Sequence, residues 1–182
     1  MTTTELISAL AEEKSAGKGR ADEVAAYLLQ QGQEALEQLW PGLYHTDAVL
    51  RARAAHVVEA VAKQQPLWLQ PYRKEILHQL AQPNLDPAFN YCLPALLGQL
   101  SWEEEDLPLV IERLEFWLQH LHNQFVKAIC LQSLTDLSMQ QPWLQQEVLE
   151  LIHQHMAKGG KAVNARGRLL LKQLQKQERL VE

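Results

Sequence analysis

The residues of this chain best suited by type to hold a metal ion are two His-x-His pairs, His120/His122 and His153/His155. If stacking brought the two segments together, four imidazoles would converge as a donor set for zinc or nickel. The spacing argues against it. Residues two apart on a helix diverge by about 200°, and neither pair has the i, i+4 separation that aims two histidines at one ion. A histidine near a helix C-terminus is favoured by the helix dipole in any case. We expect helix-end histidines and no metal.

The other candidates for chemistry are equally bare. The run Glu103-Glu104-Glu105-Asp106 reads as a turn whose carboxylates sit at the positive N-terminal end of the next helix. Cys92 and Cys130 lie inside apolar helical patterns, too few and too isolated for a disulfide framework or a zinc knuckle. No G-x-S-x-G elbow, phosphate-cradling glycine loop, C-x-x-C or H-E-x-x-H occurs. The expectation is no enzyme and no cofactor.

Charge is the more informative property. The 182 residues carry a formal charge of −5, but residues 158–182 hold Lys158, Lys161, Arg166, Arg168, Lys172, Lys176 and Arg179 against only Glu178 and Glu182. That is a local +5 at the end of a body of −10. Arg168, Lys172 and Lys176, four residues apart, share one helical stripe. The stripe reads either as an anion, nucleic-acid or acidic-partner patch or as a solvated cap helix. No apolar run approaches the roughly 20 residues that cross a bilayer, and the start Met1-Thr2-Thr3-Thr4-Glu5 lacks a secretory n-region. We expect a cytoplasmic protein without membrane contact.

The elements that must position these residues are helices. β-branched residues are sparse, and Leu, Ala, Gln and Glu dominate, so the class is all-α. Residues 63–70 (KQQPLWLQ) and 139–146 (MQQPWLQQ) repeat Gln-Gln-Pro at an offset of 76, and half of that is the length of a helix pair. Leu50-Arg51-Ala52, Phe89-Asn90-Tyr91, Val126-Lys127-Ala128 and Val163-Asn164-Ala165 mark four helix starts. Asp47, Asp86-Pro87 and Asn123 supply N-terminal signals for the first three, and Gly159-Gly160 ends the helix before the fourth. The spacing predicts leading and trailing helices in four pairs, at 32–63, 68–101, 106–139 and 143–177. Two helices at 3–15 and 21–31 precede them, the capping segment 1–31, and a tail at 178–182 closes a single domain of 182 residues. Pro41 and Pro94 should kink or stop their helices. Trp68 and Trp143, near-equivalent after Pro66 and Pro142, are expected as wedges between pairs, and Trp40, Trp102 and Trp117 as core.

A leading amphipathic helix, a turn with Asp, an apolar-then-basic step (Leu50-Arg51, Val126-Lys127) and a small-residue-rich trailing helix together resemble HEAT repeats of the armadillo-type α-solenoid superfamily. With Arg53-Ala54-Ala55 and the segment Gln65-Pro66 to Leu69-Gln70-Pro71-Tyr72, the chain looks like a group of small bacterial HEAT-like proteins of unsettled function. The likeness covers residues 32–177. It departs from the basic step at Asn90 and Asn164. It implies a right-handed α-solenoid of about ten helices acting as a scaffold, with a protein partner on a concave face of trailing helices. Arg51, His56, Glu59, Lys63, Lys127, Gln132, Thr135 and Asp136 are the candidate contacts there, with Arg166, Arg168, Lys172 and Lys176 at the basic end. The alternatives are nucleic-acid binding or DNA-repair chemistry through that basic helix, and a maturation role resembling HEAT-like lyases.

Overall fold

The computed structural model describes residues 1–12, 17–82, 85–87 and 89–181, with the side chains of Tyr91 and of 178–181 left out. The expected end of the first helix at 13–15, the carboxylates Glu178 and Glu182 and the cation Arg179 therefore lie outside the described residues. Helix accounts for 82% of the structure, and no strand occurs among the described residues. Among the described residues ten α-helices run in order: α1 Thr3–Ala11, α2 Ala21–Gln31, α3 Gln33–Leu39, α4 Ala48–Gln64, α5 Arg73–Leu80, α6 Phe89–Gln99, α7 Leu107–His120, α8 Gln124–Gln140, α9 Gln145–Ala157 and α10 Lys161–Val181. Three 3-10 segments, Trp40–Tyr44, Pro66–Tyr72 and Pro142–Leu144, precede α4, α5 and α9.

Local chemistry sets these boundaries. Thr2 and Glu5 close a capping box at the start of α1. Asp47 Oδ1 accepts from the amides of Val49 (2.7 Å) and Leu50 (3.3 Å) and starts α4; Asn123 Oδ1 does the same for Phe125 (2.9 Å) and Val126 (3.4 Å) and starts α8. Gly159 and Gly160, at φ +87° and +112°, turn the chain out of α9 through a region L residues rarely occupy. Pro41 is the second residue of a 3-10 segment that follows the end of α3, whereas α6 continues through Pro94. Pro87 precedes α6 by two residues rather than occupying its first position.

The chain divides into two compact units, Met1–Leu96 and Leu97–Glu182. In the first, α1 packs on α3 and α2 on α4, and α1 and α2 also touch each other, around Leu6, Leu10, Leu28, Leu36, Leu39 and Val58. In the second, α8 lies against α7, α9 and α10, and α10 against α9, around Val110, Leu114, Trp117, Leu131, Leu134, Leu144 and Ile152. The Glu115 carboxyl of α7 lies near that of Glu147 in α9, and burial, then this like charge, raises its pKa. Gly98, at the end of α6, lies so close to α8 that a Cβ there would stand 2.5 Å from Ser133 Cα.

The 76-residue offset extends well beyond the Gln-Gln-Pro motif. Helices α4 and α8 are both 17 residues long, and their caps, Asp47 and Asn123, are 76 apart. Both end with an amide bond of 2.8 Å, from Gln65 to Val61 O and from Gln141 to Leu137 O, before a proline opens the 3-10 segment. Of the eight buried residues of α4, seven have a buried counterpart in α8; the exception pairs Arg53 with the half-buried Ile129. In this register Leu67 matches Trp143, and both are exposed (75% and 63%). Trp143 is thus not a wedge. The buried equivalent is Leu144, which matches the half-buried Trp68. Trp40, Trp102 and Trp117 are core residues, and Trp102 donates to Leu97 O at 2.8 Å.

Candidate interaction surfaces

On α4, His56, Glu59 and Lys63 form one polar chain. Lys63 Nζ is 2.7 Å from Glu59 Oε1, and His56 Nδ1 is 3.8 Å from Glu59 Oε2. Burial raises the Glu59 pKa, and hydrogen bonds from His56 and Lys63 more than reverse it, holding the carboxyl below its ordinary range. Arg51, five to twelve residues before these on the same helix, turns to the loops instead. Its Nη1 donates to His45 O (2.7 Å) and Thr46 O (2.9 Å), and its Nη2 lies 2.9 Å from Asp86. Arg51 therefore ties the start of α4 to the approach to α6, and its charge is matched inside its own unit.

In the second unit, Gln132 and Asp136 do not stand free on a helix face. Gln132 donates to Asp136 Oδ1 at 2.8 Å and accepts from Arg166 Nη1 of α10 at 2.9 Å. Burial raises the Asp136 carboxyl above its ordinary pKa despite bonds from Gln132 and Gln173 and the nearby Arg166. The four side chains form a polar seam between α8 and α10. Thr135 is buried, contrary to the expectation of an exposed contact, and its hydroxyl donates to Leu131 O at 2.8 Å. Lys127 is half-buried and close enough to His155 to bear on its charge. Arg168, Lys172 and Lys176 are exposed on α10.

The histidines diverge as the helix geometry requires. His153 is exposed, while His155 is 4% exposed. Burial, with Lys158 and Lys127 adding to it, pushes its pKa down to about 4. Desolvation has overridden the dipole that favours charge at this end of α9. His120 stacks on Phe116, with ring centroids 4.3 Å apart, and His122 is exposed in the turn after α7. No group of three His, Cys, Asp or Glu among the described residues could hold a metal ion. Glu103, Glu104 and Glu105 are exposed in the turn before α7. Burial pushes the Cys92 and Cys130 thiols up to about 12, so both stay protonated at neutral pH.

Three features were missed in the sequence. Arg53 is 2% exposed; its Nε donates to Gly17 O at 3.2 Å and its Nη1 to Leu10 O, which anchors the chain after α1. Tyr44 donates to Glu75 and accepts from Gln79 at 3.5 Å, beside a groove also lined by His45, Arg51 and Phe89. Burial, then Glu75, raises its phenol pKa. Leu169 is exposed among the cations of α10. Only the last had a sequence signal, a leucine falling off the apolar stripe of an otherwise regular helix.

No protein-family model matches the chain, and neither curated proteins nor solved structures provide a match. No helix among the described residues is long and apolar enough to cross a membrane.

Proposed function

We propose that this protein is a non-enzymatic, cytoplasmic interaction module, a right-handed HEAT-like α-solenoid of about four helix pairs that binds another protein on the face of its trailing helices. The observation that carries this reading is the correspondence of α4 with α8, two 17-residue helices with matching caps and matching burial. Repetition of one supersecondary unit at a fixed offset is how stacked arrays are built, and such arrays present extended faces to partners. The polar chains His56–Glu59–Lys63 in the first unit and Gln132–Asp136–Arg166 in the second are each already held by internal bonds. Side chains fixed before binding lose little freedom on association, which suits a recognition surface. The test is capture from cell lysate with the folded protein as bait and the variants Lys63→Glu and Arg166→Glu beside it. A partner retained by the wild type and lost with these variants supports the reading; a wild-type bait that is folded and retains nothing refutes it.

Nucleic-acid binding is the second reading, favoured by the exposed Arg168, Lys172 and Lys176. It lacks the aromatic platform of single-strand binders, since α10 contains no aromatic residue. An anisotropy titration with duplex and single-stranded DNA at about 50 mM salt tests it where phosphate contacts are strongest.

A further inference from the structure

Helix α10 packs through Val163, Gly167, Leu170 and Leu174, which are buried. At Gly167 the approach is so close that a Cβ would meet the Met156 sulfur of α9 at 2.4 Å. Opposite that face lie Lys161, Arg168, Lys172 and Lys176, separated by seven, four and four residues and all exposed. At 100° and 1.5 Å per residue they fall within about 80° of one another and span about 22 Å. None of the four has an ion-pair partner among the described residues. No Asp or Glu occurs between Lys161 and Gln177 to neutralise them. Ala165 stands within the same strip and Leu169 about 20° beyond its edge; both are apolar and exposed, Leu169 by 59%.

We propose that this outward face of α10 docks an acidic amphipathic helix supplied by another protein. Carboxylates four apart on a helix recur about every 6 Å, the step between Arg168, Lys172 and Lys176. An apolar edge on such a helix would cover Leu169, and the small Ala165 beside it leaves room for close approach. Leu169 is what separates this occupant from the other anions. A phosphate backbone offers nothing apolar to cover it, and α10 has no aromatic side chain on which a base could stack. A lipid surface would need an apolar face to enter it, and that of α10 is already spent on its neighbours in the fold. The row of charge draws the acidic helix in and sets its register, and Leu169 selects for an apolar edge.

The probe is a fluorescein-labelled helical peptide of about 22 residues, with Glu at four-residue spacing beside a Leu stripe. A peptide with Gln in place of Glu is its control, and both are titrated into the full chain by anisotropy. The acidic peptide should bind at about 50 mM salt and about tenfold more weakly at about 300 mM, as screened charges require. The Gln peptide, and the variant Arg168→Glu/Lys172→Glu, should each lose at least about tenfold. Leu169→Ser should weaken the acidic peptide by about fivefold without changing the salt dependence. All three substituted positions are exposed, and unchanged thermal melting confirms that the variants are folded. Oligo-dT and vesicles containing phosphatidylserine are run in parallel. Absence of peptide binding overturns the proposal. So does binding indifferent to Arg168→Glu/Lys172→Glu or to Leu169→Ser, or tighter binding of the oligonucleotide or the vesicles than of the peptide.

Discussion

Acidification from pH 8 to pH 5 should remove about 2 kcal/mol of stability through His155 alone. The side chain is 4% exposed on α9 and faces two cations, Lys127 and Lys158, with no carboxylate among the groups that perturb it. Its pKa in the fold is about 4, against an ordinary value near 6.5. A base whose folded pKa is depressed contributes its full share above the unfolded value, and that share is lost as pH falls from 6.5 through 4. The whole window is worth about 3.4 kcal/mol, from 1.36 kcal/mol per pKa unit. At pH 5 the unfolded imidazole is almost fully protonated and the folded one about one-tenth, which gives the figure of about 2. Urea unfolding of the wild type and of His155→Leu at pH 8 and pH 5 isolates the term. Glu59, whose pKa is lowered, also loses stability in acid, while Glu115 and Asp136, whose pKa values are raised, gain it. All three are common to both proteins and cancel in the difference. The wild type should lose about 2 kcal/mol more than the variant between the two pH values, a midpoint difference near 1 M urea for a slope of about 2 kcal/mol/M. Curves that shift in parallel to within about 0.5 kcal/mol would refute the argument, as would a His155 ring titrating above about 6 by NMR.

Other substitutions test the packing directly. Gly98→Ala should destabilise by about 1–3 kcal/mol in chemical denaturation, because the new methyl meets the backbone of α8 at Ser133 rather than a side chain that could move. Arg53→Ala should lower stability by about 3 kcal/mol, through the carbonyls of Leu10 and Gly17 left without their donor and the space left behind; proteolysis at the segment after α1 should accelerate in step. Asn123→Ala and Asp47→Ala should each remove about 1 kcal/mol, and to similar extents, because they cap equivalent helices with the same pair of bonds.

The helical elements were readable because each rests on many residues that agree. The stripe Leu107, Val110, Ile111, Leu114, Leu118 is buried throughout α7, and the caps Asp47 and Asn123 lie where short polar residues break the pattern before an apolar run. The shortfalls lie where one residue had to decide between close alternatives. Trp143 was matched to Trp68 because both follow a proline, yet the offset of 76 places Trp143 opposite Leu67 and its indole in water. In a 3-10 segment successive side chains turn by about 120°, so a slip of one position exchanges an inward residue for an outward one. The 3-10 segment Trp40–Tyr44 shortens α3 for a related reason, since Pro41 offers no amide donor to continue the preceding ladder.

The surfaces were less readable, because a binding residue is defined by partners that helical periodicity does not encode. Arg51, Gln132, Asp136 and Arg166 all fall at polar positions of their helices, and each proves to be engaged with a group from another segment. Arg53 makes the point most sharply. It is the one buried residue of α4 whose counterpart in α8 is not buried, and that counterpart is Ile129. A guanidinium can occupy a site that close only if carbonyls wait for it, since a buried charge without such partners would be costly. Leu10 O and Gly17 O supply them, and both precede Arg53 by more than thirty residues. Arg168, Lys172 and Lys176 behave oppositely. They bond to no described residue, so helical spacing alone locates them, and the stripe drawn from their four-residue steps is the stripe the fold leaves in water.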